Sequence, residues 1–182
     1  MNAHADAETD ARRVVITGFM AAGKTTVGRA LARLLGATFV DLDDAVLELE
    51  GRGPRELIDE EGEDYFREAE TRALLHVLER SDARVIATGG GAWTIERNRA
   101  LADAHGCLSV WLDAPFELCL ERINAGGGPS DRPNARDPER ARQLYEQRLA
   151  AYHLADLRVA VSPGSGVEEL AARVADALDA AG

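Results

Sequence analysis

Short apolar runs alternate with longer amphipathic stretches along almost the whole chain. Val14-Val15-Ile16-Thr17 stops at Gly18 and reads as a buried strand. From Lys24 to Leu35, the residues Val27, Leu31, Leu34 and Leu35 fall on one helical face, and Gly36 ends the helix. Residues 38–42 read as a second strand, and 45–50 and 54–80 as mostly helical with a break near Gly62. Residues 84–88 predict the third strand, 95–105 a helix, 107–112 the fourth strand and 115–123 a helix. Asn124 to Asp137, rich in Gly, Pro, Asn and Asp, reads as a loop; a helix over 138–154, a fifth strand over 157–161 and a helix over 167–178 follow.

Short apolar strands separated by helices imply parallel βαβ units. The expected fold class is therefore α/β: a three-layer α/β/α domain around a five-stranded parallel sheet. In such folds ligands bind beyond the carboxyl ends of the strands. Gly18, Asp41, Asp43 and Gly89 all fall just past a predicted strand end.

Length and composition narrow this picture. With 182 residues, one domain is expected over 13–182, behind a polar, acidic stretch, 1–12, read as a mobile tail. An apolar share of 46% and a charged share of 29% exclude a disordered or collagen-like chain. The net charge of −11 disfavours nucleic acid and anionic membrane as partners, so any bound anion needs a local cluster of donors. No run approaches a membrane helix, and the first residues lack the apolar segment of a signal peptide. Cys107 and Cys119 show neither a disulfide framework nor a metal spacing; they are expected in the core, in a reducing cytoplasm. The four histidines show no metal spacing either.

The chemistry begins at Gly18-Phe19-Met20-Ala21-Ala22-Gly23-Lys24-Thr25, which fits G-x-x-x-x-G-K-[ST] between a strand and a helix. Glycines let backbone N–H groups curl around phosphate oxygens, and the helix N-terminus adds partial positive charge. Lys24 is then expected on the β- and γ-phosphates of ATP and the Thr25 hydroxyl on Mg²⁺. Gly18, Ala21, Ala22, Gly23 and Thr26 complete the expected nucleotide contacts.

Asp41-Leu42-Asp43-Asp44 ends the second strand. In an extended segment Asp41 and Asp43 share a face. One carboxylate would hold Mg²⁺ through water, while the other orients or deprotonates an acceptor hydroxyl. The plainer alternative is that Asp43 or Asp44 caps the next helix. Asp113, before Ala114-Pro115, reads as such a cap and not as a metal ligand.

From here the sequence resembles the shikimate kinases, small P-loop kinases of the nucleoside-monophosphate-kinase type. The resemblance spans roughly Arg13 to Leu178 and rests on GFMAAGKTTVG (18–28), DLD (41–43), EGEDYFREAE (61–70), ATGGGA (87–92), VWL (110–112), DRP (131–133) and QRLAAYHLADLRV (147–159), in that order. It implies a P-loop kinase fold with a mobile lid near 124–137, ATP and Mg²⁺ as cofactors, and shikimate as acceptor. Arg67 and Arg148 would bind the substrate carboxylate, with Glu70 holding Arg67 in place. By spacing alone, Arg67 and Glu70 are equally a surface ion pair. The resemblance also implies that Gly90 contacts the acceptor, that Arg132 is the lid arginine acting on the transferring phosphoryl group, and that Arg122 stacks on adenine near Ser162-Pro163-Gly164. Where the family has two leucines after the lid Arg-Pro, this chain has Asn134-Ala135-Arg136, which leaves Arg136 as a second candidate. Phe66 and Trp93 are either walls of the site or core, and His153 is expected to be structural. The expected function is ATP-dependent phosphorylation of the shikimate 3-hydroxyl by a monomer, ahead of chorismate. The alternatives are a kinase of another small polar acceptor, such as gluconate, or a non-catalytic nucleotide-binding regulator.

Overall fold

The computed structural model describes residues 12–126 and 137–181. Its elements run β1 (Val14–Thr17), α1 (Lys24–Leu35), β2 (Phe39–Asp41), α2 (Leu42–Glu50), α3 (Pro54–Glu61), α4 (Glu63–Arg80) and β3 (Val85–Ala87). A 3-10 turn (Ala92–Thr94) follows, then α5 (Glu96–Ala104), β4 (Leu108–Asp113), α6 (Phe116–Ala125), α7 (Pro138–Tyr152), β5 (Leu157–Ala160) and α8 (Val167–Ala181). The strands form one five-stranded sheet in the order β2-β3-β1-β4-β5, with every pair parallel. Val14, Val15 and Ile16 of β1 and Val85, Ile86 and Ala87 of β3 are essentially inaccessible, as the central strands of a doubly covered sheet must be. Helices α1 and α8 pack on each other at one face. The right-handed crossover rule sends α5, which leads from β3 to β4, to the other.

This strand order creates the crevice. The connection from β1 runs toward β2 and that from β3 runs the opposite way, toward β4. The two neighbouring strands therefore part company at their carboxyl ends. Ile16 is in register with Ala87, so Gly18 and Gly89 emerge side by side at that edge.

Two local expectations need correction. The second strand ends at Asp41 because the Asp41 carboxylate accepts from the Asp43 amide at 3.0 Å, turning the chain into α2 at once. The cap is thus Asp41, not Asp43 or Asp44, and Asp41 and Asp43 do not share an extended face. Asp113 is likewise not a cap. The α6 N-terminus has no side-chain cap, and the Asp113 carboxylate accepts instead from Arg158 Nε and Nη2, at 2.8 and 2.5 Å.

No described helix is long and apolar enough to cross a membrane. Cys107 and Cys119 are free and buried, as expected. Residues 1–11 of the expected tail, and 127–136 of the expected lid with Arg132 and Arg136, lie outside the described residues. Of the expected loop, 124 and 125 belong to α6, and Asp137 caps α7 by accepting from the Glu139 amide at 3.0 Å.

Candidate active site

The loop from β1 to α1 wraps a space for an anion. Gly18 has φ +143°, and a Cβ there would stand 2.7 Å from the Leu112 carbonyl oxygen, so only glycine fits. Helix α1 has neither a side-chain N-cap nor an acid in its first turn, leaving its amides and dipole to a ligand. Lys24 Nζ folds back to donate to the Phe19 carbonyl at 2.8 Å. Thr26 donates to the Gly23 carbonyl at 2.9 Å. Arg122 braces the loop from α6 through the carbonyls of Ala21 and Ala22, at 3.1 and 3.3 Å. The Thr25 hydroxyl donates to Asp41 Oδ2 at 2.6 Å. A hydroxyl and a carboxylate converging beside a phosphate loop are hard oxygen donors, and they suit Mg²⁺, which takes its remaining ligands from phosphates and water.

Beside this loop lies a cavity of about 250 Å³. Asp43, Phe66, Arg67, Glu70 and Arg148 line it together with Gly89, Gly90 and Gly91. Asp43 and Asp41 therefore have separate stations, one at the cavity and the other at the phosphate loop.

The three glycines are there for space. A Cβ on Gly89 would be 2.6 Å from Glu70 Oε1, one on Gly90 3.2 Å from Arg148 Nη1, and one on Gly91 2.5 Å from Arg67 Nη2. Each admits a different charged side chain to the same turn of backbone.

Arg67 and Glu70 are no surface ion pair. Glu70 is fully buried and accepts from Arg67 Nη1, while Glu63 accepts from Arg67 Nη2 at 3.0 Å. Burial pulls the Arg67 guanidinium down, but the charges and hydrogen bonds of Glu70 and Glu63 outweigh it and hold its pKa above the ordinary arginine value. The guanidinium also lies over the Phe66 ring, 5.0 Å from the centroid, so Phe66 is a wall of the cavity. Trp93 is core, 2% exposed and not on the lining.

A second space, about 390 Å³, opens on the outer side of the loop between Ala22, Gly23, Thr26, Arg122, Ser165 and Leu170. It begins at Ser165, just past the Ser162-Pro163-Gly164 expected from the resemblance. His153 packs edge-on against Trp111 at 4.7 Å.

Several residues escaped sequence reasoning. Tyr152, fully buried, donates to the Gly90 carbonyl at 2.6 Å. Arg140 lines the acceptor cavity from α7, and Arg55 from α3. Tyr152 is four residues from Arg148 and Arg140 eight, so helical spacing along 138–152 would have pointed to both.

A phosphate loop at the head of a parallel sheet, with a separate acidic and arginine-lined cavity beside it, defines a small-molecule P-loop kinase. The chain belongs to the shikimate kinase family, whose model matches residues 20–179. It is 42% identical to the shikimate kinase of Geobacter sulfurreducens over 92% of this chain and 91% of that one. It is 38% identical to the shikimate kinase of Ruegeria pomeroyi, over 92% and 85%. In structure it resembles the shikimate kinase of Acinetobacter baumannii in complex with shikimate, with a TM-score of 0.84 at 32% identity, covering 93% of this chain and 94% of that one.

Proposed function

We propose that the chain transfers the γ-phosphoryl group of ATP to the 3-hydroxyl of shikimate, on the way to chorismate and the aromatic amino acids. One observation carries this reading. A single cavity beside the phosphate loop holds both a carboxylate suited to a hydroxyl, Asp43, and two guanidiniums suited to a carboxylate, Arg67 and Arg148.

The residues divide the work. Backbone amides from Gly18 through Ala21, Ala22 and Gly23 to Thr26 take the phosphates. Lys24 exchanges the neutral Phe19 carbonyl for phosphate oxygen, because a hydrogen bond between charged partners is the stronger. Arg122 faces adenine in the outer space. Thr25 directly, and Asp41 through water, would hold Mg²⁺, which when bound neutralises charge on the β- and γ-phosphates. Arg67 and Arg148 present planar forks to the acceptor carboxylate while the Gly90 backbone packs on its ring. Asp43 accepts the proton of the acceptor hydroxyl as that oxygen bonds to the γ-phosphorus. The bond to the bridging oxygen then breaks, and ADP leaves with the electron pair. Catalysis of this kind is positioning and electrostatics. All these groups come from one chain, so a monomer suffices, and two buried free thiols suit a reducing cytoplasm.

The test follows ADP release with shikimate, gluconate and a nucleoside monophosphate offered separately. Shikimate alone should accelerate it, and Arg148→Ala should raise the shikimate KM by on the order of a hundredfold, as expected for removing one partner of a charged pair. Acceleration by gluconate instead would move the acceptor assignment. Nucleotide binding without acceptor-dependent ADP release would leave the regulator reading.

A further inference from the structure

We infer that Arg140, assisted by Arg55, forms a cationic mouth that recruits the acidic acceptor into its cavity. This rests on the acceptor reading above and adds residues that the reading does not need. Arg140, Leu144 and Arg148 recur every four residues along α7, and all three line the cavity, so one face of this helix forms a wall. At 1.5 Å per residue, Arg140 stands roughly 12 Å along the axis from Arg148. Arg148 is half-buried against Gly90 and marks the inner end of that wall, whereas exposed Arg140 marks the outer end.

Arg55 comes from the first turn of α3. It lines this cavity and also the groove outside it, with Asp43, Leu47 and Asp59. The Asp59 carboxylate lies 3.6 Å from its guanidinium, and both side chains are about half exposed. A pair between two half-exposed groups at that separation is weak.

Electrostatics gives these positions a task. The cavity lining holds four arginines against the carboxylates of Asp43, Glu63 and Glu70, in a chain whose net charge is −11. The molecule as a whole repels an organic anion, and only a local cationic opening offsets this. Arg67 stands deeper, braced by buried Glu70 and by the exposed Glu63. Charges at a rim chiefly govern encounter and its salt dependence, and those at the floor govern what is held.

The experiment is steady-state ADP release with shikimate varied at saturating ATP, between low and moderate ionic strength. Wild type is measured first; if shikimate does not accelerate ADP release, the acceptor reading and this inference fall together. With an active parent, Arg140→Gln should raise the shikimate KM roughly three- to tenfold, and the double variant with Arg55→Gln further, while kcat and the ATP KM stay within about twofold. The decline of kcat/KM with salt should be shallower in both. Arg140→Lys should restore the KM, since the role needs charge and not a fork. Arg33→Gln, which makes the same change in net charge at a remote, 69% exposed side chain, should do nothing. An unchanged KM for Arg140→Gln, a raised KM with the wild-type salt dependence, or an equal loss in Arg33→Gln would each overturn the inference.

Discussion

The hydroxyl of Tyr152 donates to the carbonyl of Gly90 across 2.6 Å, joining the last turn of α7 to the middle glycine of the triplet. Arg148 lies one turn earlier on the same helix, with Nη1 3.2 Å from where a Gly90 Cβ would stand. The bond therefore sets how far the Arg148 fork stands from the backbone against which an acceptor would rest. Tyr152→Phe removes it without changing shape. The expected cost in stability is about 1–2 kcal/mol, because a buried carbonyl loses its partner. The distinguishing outcome is kinetic: the acceptor KM should rise several-fold while the ATP KM stays fixed. A purely structural role would leave the two Michaelis constants moving together.

Gly91 should separate binding from stability even more sharply. A methyl group there would sit 2.5 to 2.6 Å from the guanidinium of Arg67, the movable end of a long side chain. Arg67 yields by shifting its fork while staying within reach of Glu70 and Glu63, which moves the face it offers the acceptor. Gly91→Ala should thus fold, with less than about 2 kcal/mol lost by denaturant titration, as for modest overpacking. Its acceptor KM should nonetheless rise at least as far as in Tyr152→Phe. Wild-type acceptor kinetics would mean that Arg67 has no part in acceptor binding.

Much of this architecture is legible in the order of residues alone. Val14–Thr17 and its following glycine mark β1 because a doubly covered strand has to be apolar throughout, and Gly36 closes α1 with a left-handed cap, φ +58°. Local patterns fail where a side chain also has a partner distant along the chain. Asp41 serves both the Asp43 amide and Thr25. Asp113 prefers Arg158, 45 residues later, to the helix beside it. Motif order groups Arg67, Gly90 and Arg148, but the reason for the triplet is tertiary. Three charged groups from α4 and α7 pack where side chains would otherwise stand, and no spacing along the chain records that.

Ala21 offers a test of strain in the phosphate loop. Among the described residues it alone, other than glycine, has a positive φ, +59°. A left-handed conformation costs an L-residue about 1–2 kcal/mol, whereas glycine costs about 0.5–1 kcal/mol in unfolded-state entropy. Ala21→Gly should therefore stabilise the protein by up to about 1 kcal/mol, and calorimetry should show a midpoint higher by a few degrees at most. A lower midpoint would mean that the Ala21 methyl group makes contacts worth more than the strain it imposes.

Cys107 and Cys119 give the fold an alkaline weakness. Burial pushes both thiols up to about 11, against an unfolded value near 9, with Arg13 near Cys107 and Lys24 and Arg122 near Cys119 opposing the shift too weakly to cancel it. The folded state thus retains protons that the unfolded state has already lost. Their contribution to stability is complete below pH 9, declines above it, and is gone beyond pH 11. At pH 8 only about one thiol in a thousand is ionised, so neither should react appreciably with a thiol-alkylating reagent until the chain unfolds. Alkylation under native conditions and denaturant midpoints between pH 8 and 10.5 check the two consequences together. Replacing both cysteines by alanine should flatten the alkaline decline while lowering stability at neutral pH, because each substitution leaves a small void. A decline as steep in the double variant as in the wild type would assign the alkaline weakness to other groups.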